Sequence, residues 1–393
     1  MSRHPTVRLT QPIEAVLRAG HPWIFHDAVR HGRDHAPGDV VDVLDTPGEF
    51  LGRGLIEPDS PIRVRLWTLR PDVAVNDELL EARLRAALKR RRYPTPDTTG
   101  YRLSNGEGDR IPGLTVDIYA DVAVLRVDGE AAERWVPGAR RILARIAGAT
   151  HFAVRRSERY RGSRPAAEWL GEMPGGDTVF LENGVSFLCR PIEGQKTGFF
   201  LDQRDNRARV AELARGRRLL NLFGYTGGFS VLAAARGAAY TVTVDLAAPA
   251  LEDARRNFEL NQIPAPAHGF EKADVFDYLD AFGTGAAPFD VLVCDPPSFA
   301  HRADDVAKAS EAYVRLFAKT LDVARDGAVV ALASCSSQID QARFIKLAAA
   351  AAERAALSYV VTGLYGAADD HPWPAAFPEG DYLQLSLGTI ARD

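Results

Sequence analysis

One stretch sets the terms for the rest of the chain: RLLNLFGYTGGFSVLAAARGAAYTVTVD, Arg218 to Asp245. Leu219 to Phe223 is an apolar run of the length of a buried strand. Gly224-Tyr225-Thr226-Gly227-Gly228 makes a tight turn, and the alanine- and leucine-rich Phe229 to Arg236 reads as a helix ended by Gly237. Thr241 to Val244 is a second β-branched strand, closed by Asp245. The order is strand, glycine turn, helix, strand, acid. The acid lies about 20 residues beyond the first turn glycine, where a strand-end carboxylate reaches a ribose hydroxyl. Glycines let the backbone approach a ligand without a Cβ in the way.

The spacing is G-x-x-G-G rather than G-x-G-x-x-G, and no G-K-[ST] phosphate loop occurs anywhere. A nucleoside without a pyrophosphate fits this turn better than a dinucleotide, and S-adenosylmethionine is the obvious candidate. The bland alternative is a structural turn with no ligand, since glycine turns are common punctuation.

The following residues extend the pattern. Ala248–Asn261, Ala307–Ala324 and Ile339–Ala356 read as helices, and Phe289–Cys294 and Ala328–Ala333 as buried strands. Tyr359–Thr362 and Tyr382–Leu387 are candidate final strands. Strands alternating with helices predict a parallel, doubly wound α/β sheet, whose ligands sit at the carboxyl ends of the strands. GYTGG, Asp245, Asp274, DPPSF at Asp295 and SCSS at Cys335 all fall at such ends. That shared position argues for a site more strongly than any one of the five.

Residues 1–72 are rich in short β signals, Val40–Leu44, Phe50–Ile56 and Ile62–Leu66, separated by turn clusters. Gln11–Ala19 reads as a short helix. Trp23 and Phe25 suit a core better than a base-stacking platform, and Arg30, His31 and Arg33 suit a solvated edge. Asn76–Arg92 is an amphipathic helix with Leu79, Leu80, Leu84 and Leu88 on one side. Its basic end, Lys89 to Arg92, suits either the helix dipole or a phosphate. Leu103–Arg126 reads as turns and strands and Glu130–Ile146 as helix. Arg155, Arg156, Arg159, Arg161 and Arg164 surround Tyr160, a pattern that follows a nucleic-acid backbone or simply a solvated loop. Val179–Cys189 reads as a hairpin turning at Glu182-Asn183-Gly184. Segment 191–210, PIEGQKTGFFLDQRDNRARV, ends in a helix start, and helix N-termini favour anions such as a methionine carboxylate. The segment is placed at the cofactor, with Lys196, Phe200 and Gln203 as candidate contacts.

The net charge of −4 makes the chain as a whole no electrostatic nucleic-acid binder, so such a role needs local patches. Arginine greatly outnumbers lysine, so single arginines are weak signals. The three cysteines, Cys189, Cys294 and Cys335, are far apart and lack C-x-x-C spacing, which argues against a disulfide framework or a zinc site. There is no transmembrane-length apolar run and no apolar signal core in MSRHPTVRLT. The expected location is the cytoplasm.

AGHPWIF (Ala19–Phe25) and GEFLGRGL (Gly48–Leu55) resemble the PUA domain, an RNA-binding fold. The ordered set EGQKTGFFLDQRDNR, NLFGYTGGFS, VTVD, ADVF, DPPSF, SCS and FPEGDYL resembles class I S-adenosylmethionine-dependent methyltransferases of 23S ribosomal RNA with an N-terminal PUA domain. The match covers essentially the whole chain, and the relatives it resembles most make 5-methylcytosine. The resemblance implies a PUA-like domain at 1–72, a small α/β central domain at 73–190 and a Rossmann-like methyltransferase domain at 191–393. It implies that Phe223, Gly224, Tyr225, Gly227 and Gly228 line the cofactor and that Asp245 takes the ribose hydroxyls. Asp274 and Val275 meet the adenine, and Asp295 sits between cofactor and base. Large-subunit ribosomal RNA is the implied partner, no membrane is expected, and a homodimer is left open.

Carbon 5 of cytosine is a poor nucleophile. A thiolate adding to carbon 6 turns the ring into an enamine that can attack a methylsulfonium. Within this motif order Cys335 is the expected nucleophile and Asp295 the acid facing N3. Cys294 points the other way by strand alternation, and Cys189 is structural. Two departures matter. Relatives with two cysteines carry one after the Asp-Pro proline, where this chain has Pro297-Ser298. DPPSF also partly resembles the [DN]-P-P-[YF] motif of amine methylases, with Ser298 breaking that pattern. Guanine N7 methylation by the same fold, and a non-catalytic RNA-binding protein, are the alternative readings.

Overall fold

The computed structural model of the chain describes residues 4–30, 34–157, 162–299 and 306–392. It divides into two compact units. One comprises Met1–Leu181, Cys189–Leu201 and Asp369–Gly380, the other Glu182–Leu188, Asp202–Ala368 and Asp381–Asp393.

In the first unit the short β runs form a six-stranded sheet. Its order is Trp23–Phe25, Ile62–Thr68, Phe50–Ile56, Val40–Leu44, Thr6–Leu9 and Val29–Arg30. Val41 and Val43 alternate into its core with Val7, Leu9 and Ile24. The expected helix within 11–19 is shorter, Glu14–Arg18. A five-stranded sheet follows, in the order Ala167–Trp169, His151–Arg156, Val122–Val127, Leu114–Tyr119 and Gly100–Asn105. Asn76 caps helix Asp77–Arg90 by accepting the Leu79 N–H at 3.1 Å, which satisfies one orphan donor of the first turn. Leu80, Leu84 and Ala87 then enter a core with Trp67 and Trp135, whose rings lie 4.5 Å apart.

The basic clusters of this unit have internal uses. Arg90 and Arg91 both pair with the fully buried Asp109, and Arg92 with Asp369 at 2.6 Å. The helix end is thus held by ion pairs, which neither the dipole nor the phosphate reading anticipates. Arg155 donates to the Pro191 and Ile192 carbonyls. Arg156 pairs with Glu133 and Glu168, and Arg164 with Glu133. These three serve the fold. Arg159, Tyr160 and Arg161 lie outside the described residues, as do His31 and Arg33.

The second unit begins with α1 (Arg204–Leu213). Then come β1 (Arg218–Leu222), α2 (Gly228–Ala235), β2 (Tyr240–Asp245), α3 (Ala248–Leu260), β3 (Gly269–Lys272) and α4 (Val275–Asp280). The rest is β4 (Val291–Cys294), α5 (Val306–Val323), β5 (Val329–Ser334), α6 (Gln341–Arg354), β6 (Ser358–Tyr365) and β7 (Gln384–Ala391). The sheet order is β3-β2-β1-β4-β5-β7-β6. The strands between residues 218 and 350 are all parallel, as expected, and the last strand, β7, runs against both its neighbours. No crossover α-helix separates β6 from β7, and only such a crossover would return the chain in the parallel sense.

The central strands are mostly apolar because both faces are covered, with Asn221, Thr241, Thr243 and Ser334 as buried polar exceptions. Leu220, Leu222, Leu292, Cys294, Val330 and Leu332 share one core with Tyr313, Leu316 and Phe317 of α5. Register fixes the level of the strand ends. Leu222 lies opposite both Val244 and Cys294, and Cys294 opposite Leu332. Phe223, Asp245, Asp295 and Ala333 therefore stand level along one edge, with Cys335 two residues beyond.

Candidate active site

The edge is built by backbone first. Gly224 N–H donates to the Val244 carbonyl at 2.9 Å, and Gly227 N–H to the Gly224 carbonyl at 2.8 Å. Phe223, Tyr225 and Gly227 all have positive φ, of 56°, 49° and 77°. Such left-handed residues reverse the chain sharply between β1 and α2. A Cβ on Gly224 would meet Thr243 Cγ2 at 2.4 Å and Asn221 Nδ2 at 2.9 Å. This glycine is demanded by packing inside the sheet, a reason independent of any ligand. Gly228 is backed by Arg207, which forms a buried two-pronged pair with Glu182, Nε to Oε1 at 2.7 Å and Nη2 to Oε2 at 2.6 Å.

Asp245 is held from both sides. Tyr225 N–H donates to its Oδ2 and Ala247 N–H to its Oδ1, each at 2.8 Å. Each oxygen keeps a second lone pair for a hydroxyl donor. That donor set fits a ribose diol. Asp274 caps α4, with Oδ1 accepting from Phe276 N–H at 2.8 Å. The cap bonds from Phe276 and Asp277 N–H both use Oδ1, so Oδ2 suits an amino group. Val275 beside it is buried. An open groove of about 800 Å³, lined by Asp274, Phe276, Arg315, Lys319 and Arg354 among others, shares only Asp274 with these residues. It is a groove beside α4, α5 and α6, separate from the strand-end site.

After β4 and β5 the loops that carry Asp295 and Cys335 meet. Cys335 Sγ lies 3.7 Å from the carbonyl oxygen of Pro296, the residue after Asp295. Cys335 is half-buried, whereas Cys189 and Cys294 are buried. Burial pushes the Cys294 thiol up to about 12 and the Cys189 thiol well above its ordinary value. Neither buried thiol supplies a thiolate near neutral pH.

Asp295 is oriented by Gln203, whose Nε2 donates to Oδ2 at 2.9 Å. Asn206 Nδ2 donates to Gln203 Oε1 at 2.7 Å and to the Gly366 carbonyl at 3.1 Å. This chain decides which way the Gln203 amide points. Sequence reasoning grouped Gln203 with the cofactor contacts and missed its bond to the acid. Lys196 and Phe200 belong to the other unit, where Lys196 Nζ stands 4.5 Å from the Phe200 ring centre.

Two asparagines at the end of α3, Asn257 and its C-cap Asn261, also acquire a role. Asn261 donates to the Ser186 carbonyl and accepts its N–H, both at 2.8 Å. Asn257 accepts the Leu188 N–H at 2.7 Å and donates to the Thr226 carbonyl at 2.9 Å. Their i, i+4 spacing, which places both on one helix face, is the signal that could have found them. Asn257 thereby ties the glycine turn to strand Val185–Cys189.

Comparison with known proteins follows the same lines. Residues 102–364 match the family described as S-adenosylmethionine-dependent methyltransferase, and residues 7–69 match a PUA-like domain. The chain is 38% identical to a ribosomal RNA large subunit methyltransferase of Deinococcus radiodurans, over 96% of this chain and 95% of that one. It is 35% identical to ribosomal RNA large subunit methyltransferase I of Shewanella denitrificans, over 98% of each. A solved chain from Streptococcus mutans named as an S-adenosylmethionine-dependent methyltransferase superposes with a TM-score of 0.83 at 22% identity. It covers 98% of this chain and 100% of that one. That likeness establishes the fold: a Rossmann-like methyltransferase sheet together with its N-terminal part.

Proposed function

The chain belongs to the S-adenosylmethionine-dependent methyltransferase family, and from that premise we propose that it methylates carbon 5 of a cytosine in large-subunit ribosomal RNA through a covalent adduct on Cys335. The observation that carries this reading is the pairing at the strand edge. The half-buried Cys335 thiol stands 3.7 Å from the carbonyl of Pro296, directly after Asp295. Its substrate class follows the names of the relatives in Deinococcus and Shewanella.

Asp245 would hold the cofactor's ribose, Asp274 and Val275 its adenine, and the turn Phe223–Gly228 its remaining length. Bound S-adenosylmethionine supplies an electrophilic methyl group on sulfur. The chain's own residues prepare the base. The Cys335 thiolate adds to carbon 6 while Asp295, steered by Gln203, acts as the acid that passes a proton to N3, and N3 returns that proton when the Sγ–C6 bond later breaks. Carbon 5 becomes nucleophilic and takes the methyl group. Its proton then leaves, the Sγ–C6 bond breaks, and the thiolate returns. With Ser298 where a second cysteine would stand, proton removal falls to a group other than a thiol.

A cytoplasmic location and a homodimer belong to the same proposal. The substrate supports the first. Val360, Val361 and Leu364, exposed on β6 at the sheet edge, support the second. Nucleoside mass spectrometry of ribosomal RNA from a strain lacking this protein tests the activity. One 5-methylcytosine should disappear and return on complementation. An unchanged 5-methylcytosine content with loss of a methylguanine would overturn the reading.

A further inference from the structure

The acid and the thiol sit on different loops, one after β4 and one after β5. The helix that joins those strands, α5, sends a single phenol back between them. Tyr313 is fully buried. Its ring packs 4.8 Å from that of Phe299, the last residue of the DPPSF segment that Asp295 begins. Ser334 Oγ donates to the Tyr313 hydroxyl at 3.1 Å, and Ser334 immediately precedes Cys335.

We infer that Tyr313 is a positioning residue for methyl transfer, its ring seated against Phe299 of the Asp295 loop and its hydroxyl bonded to Ser334 beside Cys335, so that one side chain sets the register of the two loops. The inference rests on the reading of Cys335 and Asp295 as the reacting pair. Burial pushes the phenol up to about 12, so it stays a neutral hydroxyl at working pH and acts as a fixed dipolar strut. Reaction rates fall by about 100-fold when a reacting group is misplaced by ~1 Å, so a strut that touches neither substrate nor cofactor can still govern turnover.

Tyr313→Phe removes the oxygen and keeps the ring. Single-turnover methylation of a large-subunit ribosomal RNA fragment should slow by about tenfold or more. Affinity for S-adenosylmethionine and for the RNA should be unchanged. The pH profile of Cys335 alkylation by iodoacetamide should shift, a readout that loss of packing elsewhere would not move. Ser334→Ala cuts the same bond from the other side and serves if Tyr313→Phe does not fold. Because both act through one bond, the double variant should lose no more than the worse single one. Normal turnover in Tyr313→Phe, or losses that simply add in the double variant, would overturn the inference while an inactive Cys335→Ser left the catalytic reading standing. A fully active Cys335→Ser would remove that reading and the inference with it.

Discussion

Gln203 hands its side-chain amide to Asp295, Nε2 to Oδ2 at 2.9 Å, while Asn206 grips the other end of that amide at 2.7 Å. A hydrogen bond to a charged group is worth about 1.5–3 kcal/mol. Gln203→Ala should therefore lower kcat by roughly 10- to 150-fold with cofactor affinity unchanged. Gln203→Glu should be worse, since two carboxylates would face each other. If Gln203→Ala instead weakens S-adenosylmethionine binding in calorimetry and spares kcat, Gln203 is a cofactor ligand and not the orienter of Asp295.

Asp245 meets two backbone N–H groups at 2.8 Å and is assigned the ribose. Asp245→Ala removes a charge-assisted bond, a loss of about 1.5–3 kcal/mol in S-adenosylmethionine binding. Asp245→Asn should lose less, because its one carbonyl oxygen still accepts a backbone N–H. Isothermal titration of both variants checks the order, and equal affinity for wild type and Asp245→Ala would refute the assignment.

The buried Arg207–Glu182 pair predicts a stability effect. Glu182→Ala leaves a guanidinium buried without its carboxylate, which costs about 3–5 kcal/mol. Thermal unfolding should show a clearly lower Tm. Since Arg207 backs Gly228, cofactor affinity should fall as well. A variant with wild-type Tm would mean that water or another acceptor takes over from Glu182.

The three thiols should separate by pH. Burial holds the Cys294 thiol near 12 and Cys189 well above its ordinary value. Raised values keep both protonated as the pH rises through neutrality, so neither forms thiolate in mildly alkaline buffer. Peptide mapping after iodoacetamide treatment of the folded protein should find Cys335 labelled and the other two intact. Labelling of Cys294 ahead of Cys335 would contradict the burial described for β4.

Much of the second unit was legible because its signals are local. The β1 run, the glycine turn and Asp245 sit within one short stretch, and apolar strand, polar end and helix repeat after it. The ion pairs of Arg90 and Arg91 with Asp109 were not legible, because a basic helix end reads the same whether it faces water, phosphate or a buried acid. The same holds for Gln203 and Tyr313. Each reaches a residue far along the chain, Asp295 and Ser334, and periodicity carries no trace of such contacts. Gly224 is legible as a turn glycine, but its packing role is not. Its missing Cβ also makes room for Thr243, a neighbour supplied by the adjacent strand.

The central claim is that Cys335 attacks the base. Large-subunit RNA carrying 5-fluorocytosine at the target provides the direct measurement, because fluorine cannot leave as the carbon 5 proton does and the adduct is trapped. Wild-type enzyme with S-adenosylmethionine should give a protein–RNA species stable to denaturing electrophoresis, with the crosslink mapped to Cys335. Cys294→Ser should form it equally well. Cys335→Ser should form none and should lose turnover while binding the cofactor normally. A fully active Cys335→Ser enzyme, or a wild type that never forms the adduct on RNA it otherwise methylates, would contradict the account and leave guanine N7, which needs no covalent activation, as the better reading.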